Sequence, residues 1–119
     1  MFSNKKIATL AFVSQQMDSL TIKGARTEMA KLGKEDILSY IGDDPQRKQL
    51  FLEYIYVGNR VGTNVTAGIL DSKTIFLTWT PQWWKDLWVK LEPLVKQERE
   101  KREILNLYGG FEGFIKKIK

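Results

Sequence analysis

The chain of 119 residues contains neither cysteine nor histidine. The absence of cysteine excludes disulfides, zinc–thiolate sites and thiol chemistry, and it favours a reducing compartment, so we expect a cytoplasmic protein. The absence of histidine removes the commonest general base and the commonest metal ligand. The acidic residues show no metal-ligand spacing apart from Asp43-Asp44, where a helix start explains the pair. We therefore expect no enzyme activity, cofactor or metal site, although an active site of Glu, Lys, Tyr or Arg would leave no short motif.

Long apolar runs are missing as well. A transmembrane helix needs roughly 18 or more consecutive apolar residues, and no segment of the chain reaches that length. The apolar stretch 7–13 follows two lysines, as in a secretion signal, but it is short and leads into Gln15-Gln16-Met17 instead of a small-residue cleavage site. We interpret this stretch as part of an amphipathic helix and expect no membrane span.

The charge is moderately basic, with 19 Lys and Arg against 14 Asp and Glu and a formal net charge of +5. Such a balance suits phosphate, an acidic partner or an anionic membrane surface. The basic residues of 96–119 alternate with glutamates, which is typical of a solvated face. The final segment, 114–119, is amphipathic and carries Lys116 and Lys117. It could contact an anionic membrane or RNA, but we favour packing of its Phe and Ile side chains on the core.

Apolar residues recur at intervals of three and four, which predicts an all-α protein. We expect residues 1–119 to form a single domain, an irregular bundle of about five to seven helices. Only 74–79 is rich in β-formers, and one strand without a partner forms no sheet. The predicted helices cover 3–18, 21–32 with Gly33 just beyond, 37–41, 45 to the low 60s or beyond, a short segment after Ser72, 81 to about 102, and a segment after Gly109-Gly110.

Two helix starts are marked by a capping residue followed by proline, at Asp44-Pro45 and at Thr80-Pro81. The helix from Pro45 has a wide apolar stripe, so we expect it to be central and to pack against the helix from Pro81. Pro93 lies inside that second helix and predicts a kink. In the first helix, we expect Ile7, Leu10, Ala11 and Ser14 to form the buried face.

The order of these features resembles a bacterial family of unknown function, DUF4760. The similarity covers nearly the whole chain and rests on loose motifs that follow one another in order: Lys5 through Val13, Ala25-Arg26, Leu50 through Gly58, Gly68 through Asp71, Trp88 through Leu91 with Pro93 and Arg99, and Tyr108 with Phe111 and Glu112. Two features depart from the family pattern. The interval from Gly58 to Gly68 is longer than usual, and the N-terminal membrane helix that members often carry is missing. The resemblance implies an all-helical domain and implies no known activity.

Two charged residues are candidates for a structural ion pair. Glu53 lies in an almost continuous apolar run, and a buried carboxylate is tolerated only when it is paired. Arg99 matches the arginine of the family pattern, so we hypothesise a Glu53–Arg99 pair. The alternative is that Glu53 faces solvent beside Gln49 and Arg60.

Gly58 and Gly62 have the spacing of a close contact between crossing helices. The spacing does not match a phosphate-binding loop, because no Lys-Ser or Lys-Thr follows. We therefore predict a packing role for both glycines.

Four tryptophans at 79, 83, 84 and 88 are the most distinctive feature of the chain. Trp84 and Trp88 share one helical face and are predicted to lie in the core. Trp83 falls about 100° away, so it could remain at the surface with Trp79 and anchor a partner. The alternative is that all four fill the core.

The leading hypothesis is a non-enzymatic helical protein-interaction module, of the kind found in bacterial or phage regulatory circuits. Its candidate contact residues are Trp83, Trp79, Lys116 and Lys117, and it could form a homo-oligomer. The alternative is a protein that binds nucleic acid or an anionic membrane surface through its C-terminal Lys and Arg. The two differ in salt response, because phosphate binding weakens with added salt and an aromatic anchor responds little.

Overall fold

The computed structural model describes residues 4–118, which fold into helices without a strand in that range. The all-α prediction is confirmed. The helices, in chain order, are α1 (Asn4–Met17), α2 (Leu20–Met29), α3 (Ile37–Ile41), α4 (Pro45–Thr66), α5 (Ser72–Thr78), α6 (Pro81–Arg102) and α7 (Gly109–Lys117).

Side-chain caps explain where the long helices begin. Asp44 accepts hydrogen bonds from the backbone N–H groups of Gln46 and Arg47 at 3.0 and 3.2 Å, and Pro45 follows it at the first helical position. Thr80 accepts from the N–H of Trp83 at 3.2 Å in the same way, ahead of Pro81. Both predicted starts are confirmed.

The other helix predictions fare differently. α2 ends at Met29, three residues before the predicted 32, and Gly33 instead closes a turn by donating its N–H to Asp36 Oδ2 at 2.8 Å. α6 continues through Pro93. The kink predicted there stays a prediction.

α4 is the central helix, and it contacts α1, α2, α3, α6 and α7. Its closest neighbour is α7, because glycines bring the two backbones together. A Cβ atom on Gly62 would overlap the carbonyl of Gly110, and one on Gly58 would overlap the ring of Phe111. The predicted packing role of Gly58 and Gly62 is confirmed. The predicted contact between α4 and α6 also forms, but it is less extensive than the contact with α7.

The buried face of α1 is not the one predicted. Ile7 and Leu10 are 55% and 43% exposed, whereas Thr9, Val13 and Met17 are buried. Thr9 Oγ1 accepts a hydrogen bond of 2.8 Å from the backbone N–H of Asp71, just before α5. Because both faces of α1 are largely apolar, its own pattern does not decide which one turns inward, and the contact with α5 does.

Candidate protein-interaction site

Trp79 and Trp83 lie next to each other at the junction of α5 and α6. Trp79 caps the end of α5, and Trp83 lies in the first turn of α6, so the short connection through Thr80 brings the indoles together. Their ring centroids are 4.7 Å apart with an interplanar angle of 48°. Both side chains are half-buried and pack against the core. The two candidate tryptophans therefore form one continuous aromatic surface, which we call the indole pair.

The other two tryptophans lie in the core, as predicted. Trp84 is fully buried and Trp88 is 7% exposed. Trp84 contacts Trp83 edge to face, with the ring centroids 5.0 Å apart and the planes at 89°. The indole pair is thus supported from beneath by a buried ring, which holds Trp83 in one orientation.

Arg26 of α2 restrains Trp79 of the indole pair. Its guanidinium carbon lies 4.9 Å from the centroid of the Trp79 ring, a cation–π contact. Its Nη2 donates a hydrogen bond of 3.2 Å to the carbonyl oxygen of Met17 at the end of α1. One side chain therefore connects α1, α2 and α5 at the indole pair.

A groove of about 260 Å³ lies between α2 and α6, with Trp83 in one wall. Arg26 and Lys90 supply two positive charges to its lining, and Asp86 supplies one negative charge. Tyr54 lines it as well. Burial raises the pKa of the Tyr54 phenol well above its ordinary value, so this side chain is a neutral hydroxyl at pH 7. We call this cavity the α2–α6 groove.

A second groove, of about 500 Å³, lies between α1 and α5. Trp79 is part of its lining, and Leu10 and Ser14 line the α1 side. Leu10, Ala11 and Ser14 of the α1 face that was expected to be buried therefore line an open groove.

The two candidate lysines lie elsewhere. Lys116 and Lys117 are exposed near the end of α7, and Lys117 lines a small groove with Pro81 and Phe76. Phe111 and Phe114 of α7 are buried, and the burial of Phe114 is in line with the packing expected for 114–119.

The predicted Glu53–Arg99 pair does not form. Glu53 accepts a hydrogen bond of 2.8 Å from Gln49 on its own helix. Arg99 instead donates to the carbonyl of Leu107 at 2.8 Å and pairs with Glu112 at 3.2 Å, which attaches α6 to α7. The prediction failed because helical spacing does not show which residue of a neighbouring helix lies opposite.

The buried carboxylate of this region is Glu98, which is only 2% exposed. Its Oε1 lies 3.0 Å from Lys48 Nζ on α4, and its Oε2 lies 3.4 Å from Arg102 Nε one turn further along α6. The hydrogen bond to Glu98 raises the pKa of the Lys48 ammonium. Both carboxylate oxygens are thus neutralised, and the cluster is part of the packing between α4 and α6.

Sequence reasoning missed Arg26 and Lys90 as neighbours of the indole pair, although a signal was present. Arg26 is flanked by the buried positions 25 and 29 of α2, as expected of a cation at the edge of the core. Trp83, Leu87 and Lys90 follow one another at helical spacings of four and three, so they share one side of α6.

Neither a membrane-spanning helix nor a cluster of metal ligands lies within residues 4–118. Among the helices of residues 4–118, none is long and apolar enough to cross a bilayer. In the same range, no three acidic side chains lie together in a way that could hold a metal ion.

The comparison with known proteins identifies a family. The family DUF4760, a domain of unknown function, matches residues 3–118, which is nearly the whole chain. No curated protein and no solved structure matches it. With its ordered motifs and its seven described helices, this chain belongs to the DUF4760 family.

Proposed function

We propose that the domain is a non-enzymatic protein-interaction module that binds another protein through the indole pair. The observation that supports the proposal is the tilted ring contact between Trp79 and Trp83, whose centroids lie 4.7 Å apart and whose side chains are half-buried beside two open grooves. A cysteine-free composition is in keeping with a cytoplasmic setting, where we place this role in a bacterial or phage regulatory circuit.

The energetics of such a surface favour binding. Tryptophan supplies a large contact area at a small loss of conformational entropy, and it is enriched among the residues that dominate binding energy. Trp83 is already restrained by Trp84, and Trp79 by Arg26. Little further ordering is needed on association, so most of the energy of burial contributes to affinity.

The alternative proposal is that the domain binds nucleic acid or an anionic membrane surface through its C-terminal basic residues, among them Lys116 and Lys117. Both lysine side chains are exposed and so are accessible to an anionic partner, which supports this proposal. Phe111 and Phe114, however, are already buried inside the domain. A surface formed by α7 would therefore act by charge alone and would weaken steeply as salt is added.

Affinity capture with matched variants tests the two proposals. The bait is the whole chain as wild type, as Trp83→Ala, as Trp83→Phe, and as Lys116→Ala with Lys117→Ala, each checked for helicity by circular dichroism. We expect a specific protein that the lysine variant and wild type retain, that Trp83→Ala loses, and that raised salt does not release.

Two results would count against the indole pair. Equal recovery of the same partners by wild type and Trp83→Ala would remove Trp83 from the contact. Loss of binding in the lysine variant and in raised salt, with Trp83→Ala unaffected, would favour the anionic surface. Trp83→Phe separates a loss of contact from a loss of folding, because it keeps an aromatic ring against Trp84.

A further inference from the structure

The α2–α6 groove contains two cations that have no ion-pair partner within residues 4–118. Arg26 uses one nitrogen for the carbonyl of Met17, and its charge faces the ring of Trp79. Lys90 Nζ donates to the carbonyl of Met29 at 3.3 Å. Both cations are therefore held in place by neutral acceptors, so their positive charge is not cancelled.

The remaining lining of the groove is mainly apolar. Met29 and Leu87 are buried residues that reach its surface, and Trp83 adds the face of an indole. Tyr54 contributes a hydroxyl that can donate or accept a hydrogen bond. An apolar cleft with a few convergent polar groups is the usual composition of a recognition pocket.

From this juxtaposition we infer that the α2–α6 groove binds an acidic residue flanked by apolar residues in an extended segment of a partner protein. The carboxylate lies between Arg26 and Lys90, and the neighbouring apolar side chains contact Trp83 and Leu87. This inference rests on the proposed function, because it names the class of segment that the interaction surface accepts.

Asp86 is the acidic residue in the lining of the groove. It lines the same cavity, and its Oδ1 accepts a hydrogen bond of 2.8 Å from Gln82 on its own helix. A bound carboxylate is attracted by Arg26 and Lys90 and repelled by Asp86, so Asp86 opposes its binding. Removal of the charge of Asp86 therefore strengthens binding of an acidic segment, whereas a purely structural role predicts no gain.

Three blocked peptides that differ in one side chain test the inference. Acetyl-Leu-Glu-Phe-amide is titrated into the 15N-labelled domain, with acetyl-Leu-Gln-Phe-amide and acetyl-Leu-Lys-Phe-amide as matched controls. We expect the glutamate peptide to bind about fivefold more tightly than the glutamine peptide, and the lysine peptide to bind most weakly. The shifted amide signals should map to α2 and the first half of α6.

Variants assign the effect to the groove. Lys90→Met should reduce the preference for glutamate over glutamine, whereas Lys96→Met, an exposed lysine elsewhere on α6, should leave it unchanged. Asp86→Asn should raise the affinity for the glutamate peptide about twofold to fivefold. Thermal unfolding of each variant separates loss of the Lys90–Met29 hydrogen bond from loss of binding.

The inference is overturned if the three peptides bind equally, if none binds, or if Asp86→Asn weakens the glutamate peptide. A small carboxylate, 3-phenylpropanoate, is titrated in parallel. If this compound binds and the glutamate peptide does not, the groove is a site for small free carboxylates, and the inference that it binds a peptide segment is overturned. The proposed function fails separately, because a partner that depends on Trp83 can be captured even where no preference for glutamate exists.

Discussion

Two helix contacts in this domain are built in opposite ways. Where α4 meets α7, glycines bring backbone against backbone, and Phe111 fills the remaining space. Where α1 meets α5, the contact includes a hydrogen bond from the N–H of Asp71 to Thr9, and an open groove runs along one side. The difference suggests that the α4–α7 contact carries stability, while the α1–α5 contact leaves apolar surface free for other uses.

The α4–α7 contact also supplies its own hydrogen bonds. Tyr108 precedes α7 in a left-handed conformation and gives no side-chain cap. Asn59 of α4 takes over this role by accepting the N–H of Phe111 at 3.1 Å. A helix start capped from another helix forms only when the two are in place, so we expect α7 to be ordered only together with α4.

The largest expected effect is at Gly62. A methyl group there would overlap the backbone of Gly110, which cannot rotate away as a side chain can. We expect Gly62→Ala to lower the free energy of unfolding by about 3 kcal/mol, measured by urea denaturation. Gly113→Ala is the control, since nothing lies within 4 Å of its added methyl group and better helix propensity should stabilise it by roughly 0.5–1 kcal/mol. Equal effects at the two glycines would refute the close contact.

A smaller effect is expected at Thr9. Thr9→Val keeps the shape of the side chain but leaves the N–H of Asp71 without its acceptor, which should cost about 1–2 kcal/mol. The measurement is again urea denaturation. Thr27→Val provides a matched control, because its hydroxyl is exposed and bonds only to Lys23 on its own helix. If both variants lose the same stability, Thr9 does not join α1 to α5.

The carboxyl group of Asp71, at the α1–α5 contact, is expected to make stability depend on pH. The hydrogen bond from Thr74 Oγ1 holds the pKa of the Asp71 carboxyl below its ordinary value of 3.8. The folded state therefore binds the proton less tightly than the unfolded state. The stability that this pKa difference contributes is present above the pKa of the unfolded state. It is lost as the pH falls through the pKa of the folded state. We expect Asp71→Asn to flatten the loss of stability in that acid range, measured by thermal unfolding across pH. An unchanged acid slope would show that Asp71 makes no such contribution.

The smallest effect on stability is expected at Leu77 of α5, which is 80% exposed. Leu77→Gln removes no packing, so the free energy of unfolding should change by less than about 0.5 kcal/mol. Ile75→Gln is the contrasting variant, since Ile75 is buried on the same helix. This substitution should lower the free energy of unfolding several times more. A marked loss at Leu77 would mean that the α1–α5 region is packed more tightly than the structure shows.

Some elements were predictable because their signals are local. Asp44-Pro45 and Thr80-Pro81 mark helix starts to the residue, since a cap acts on N–H groups two and three positions away. The packing role of Gly58 and Gly62 and the burial of Trp84 follow from spacing along single helices. In these cases the signal lies within a few residues of one helix, even where the contact partner, as for Gly62 and Gly110, is distant in the chain.

The buried carboxylate and the surroundings of the candidate site were harder to predict from the sequence. Glu53 and Glu98 both interrupt apolar patterns, yet only Glu98 is buried, because Lys48 lies opposite it. The neighbourhood of the indole pair was also missed, since Arg26 reaches Trp79 from a helix more than fifty positions earlier in the chain. The interaction role of Trp79 and Trp83 stays a prediction.

The sequence by itself determined a cysteine-free, all-helical chain, its family, and the starts of its two longest helices, because composition, periodicity and capping act within a few residues. Only the tertiary structure decided that α1 turns Thr9 inward in place of Leu10, that Arg99 pairs with Glu112, and that Arg26 and Lys90 flank Trp83. The physical reason is that each of these contacts joins separate elements, and its partner is chosen by how the helices pack around α4.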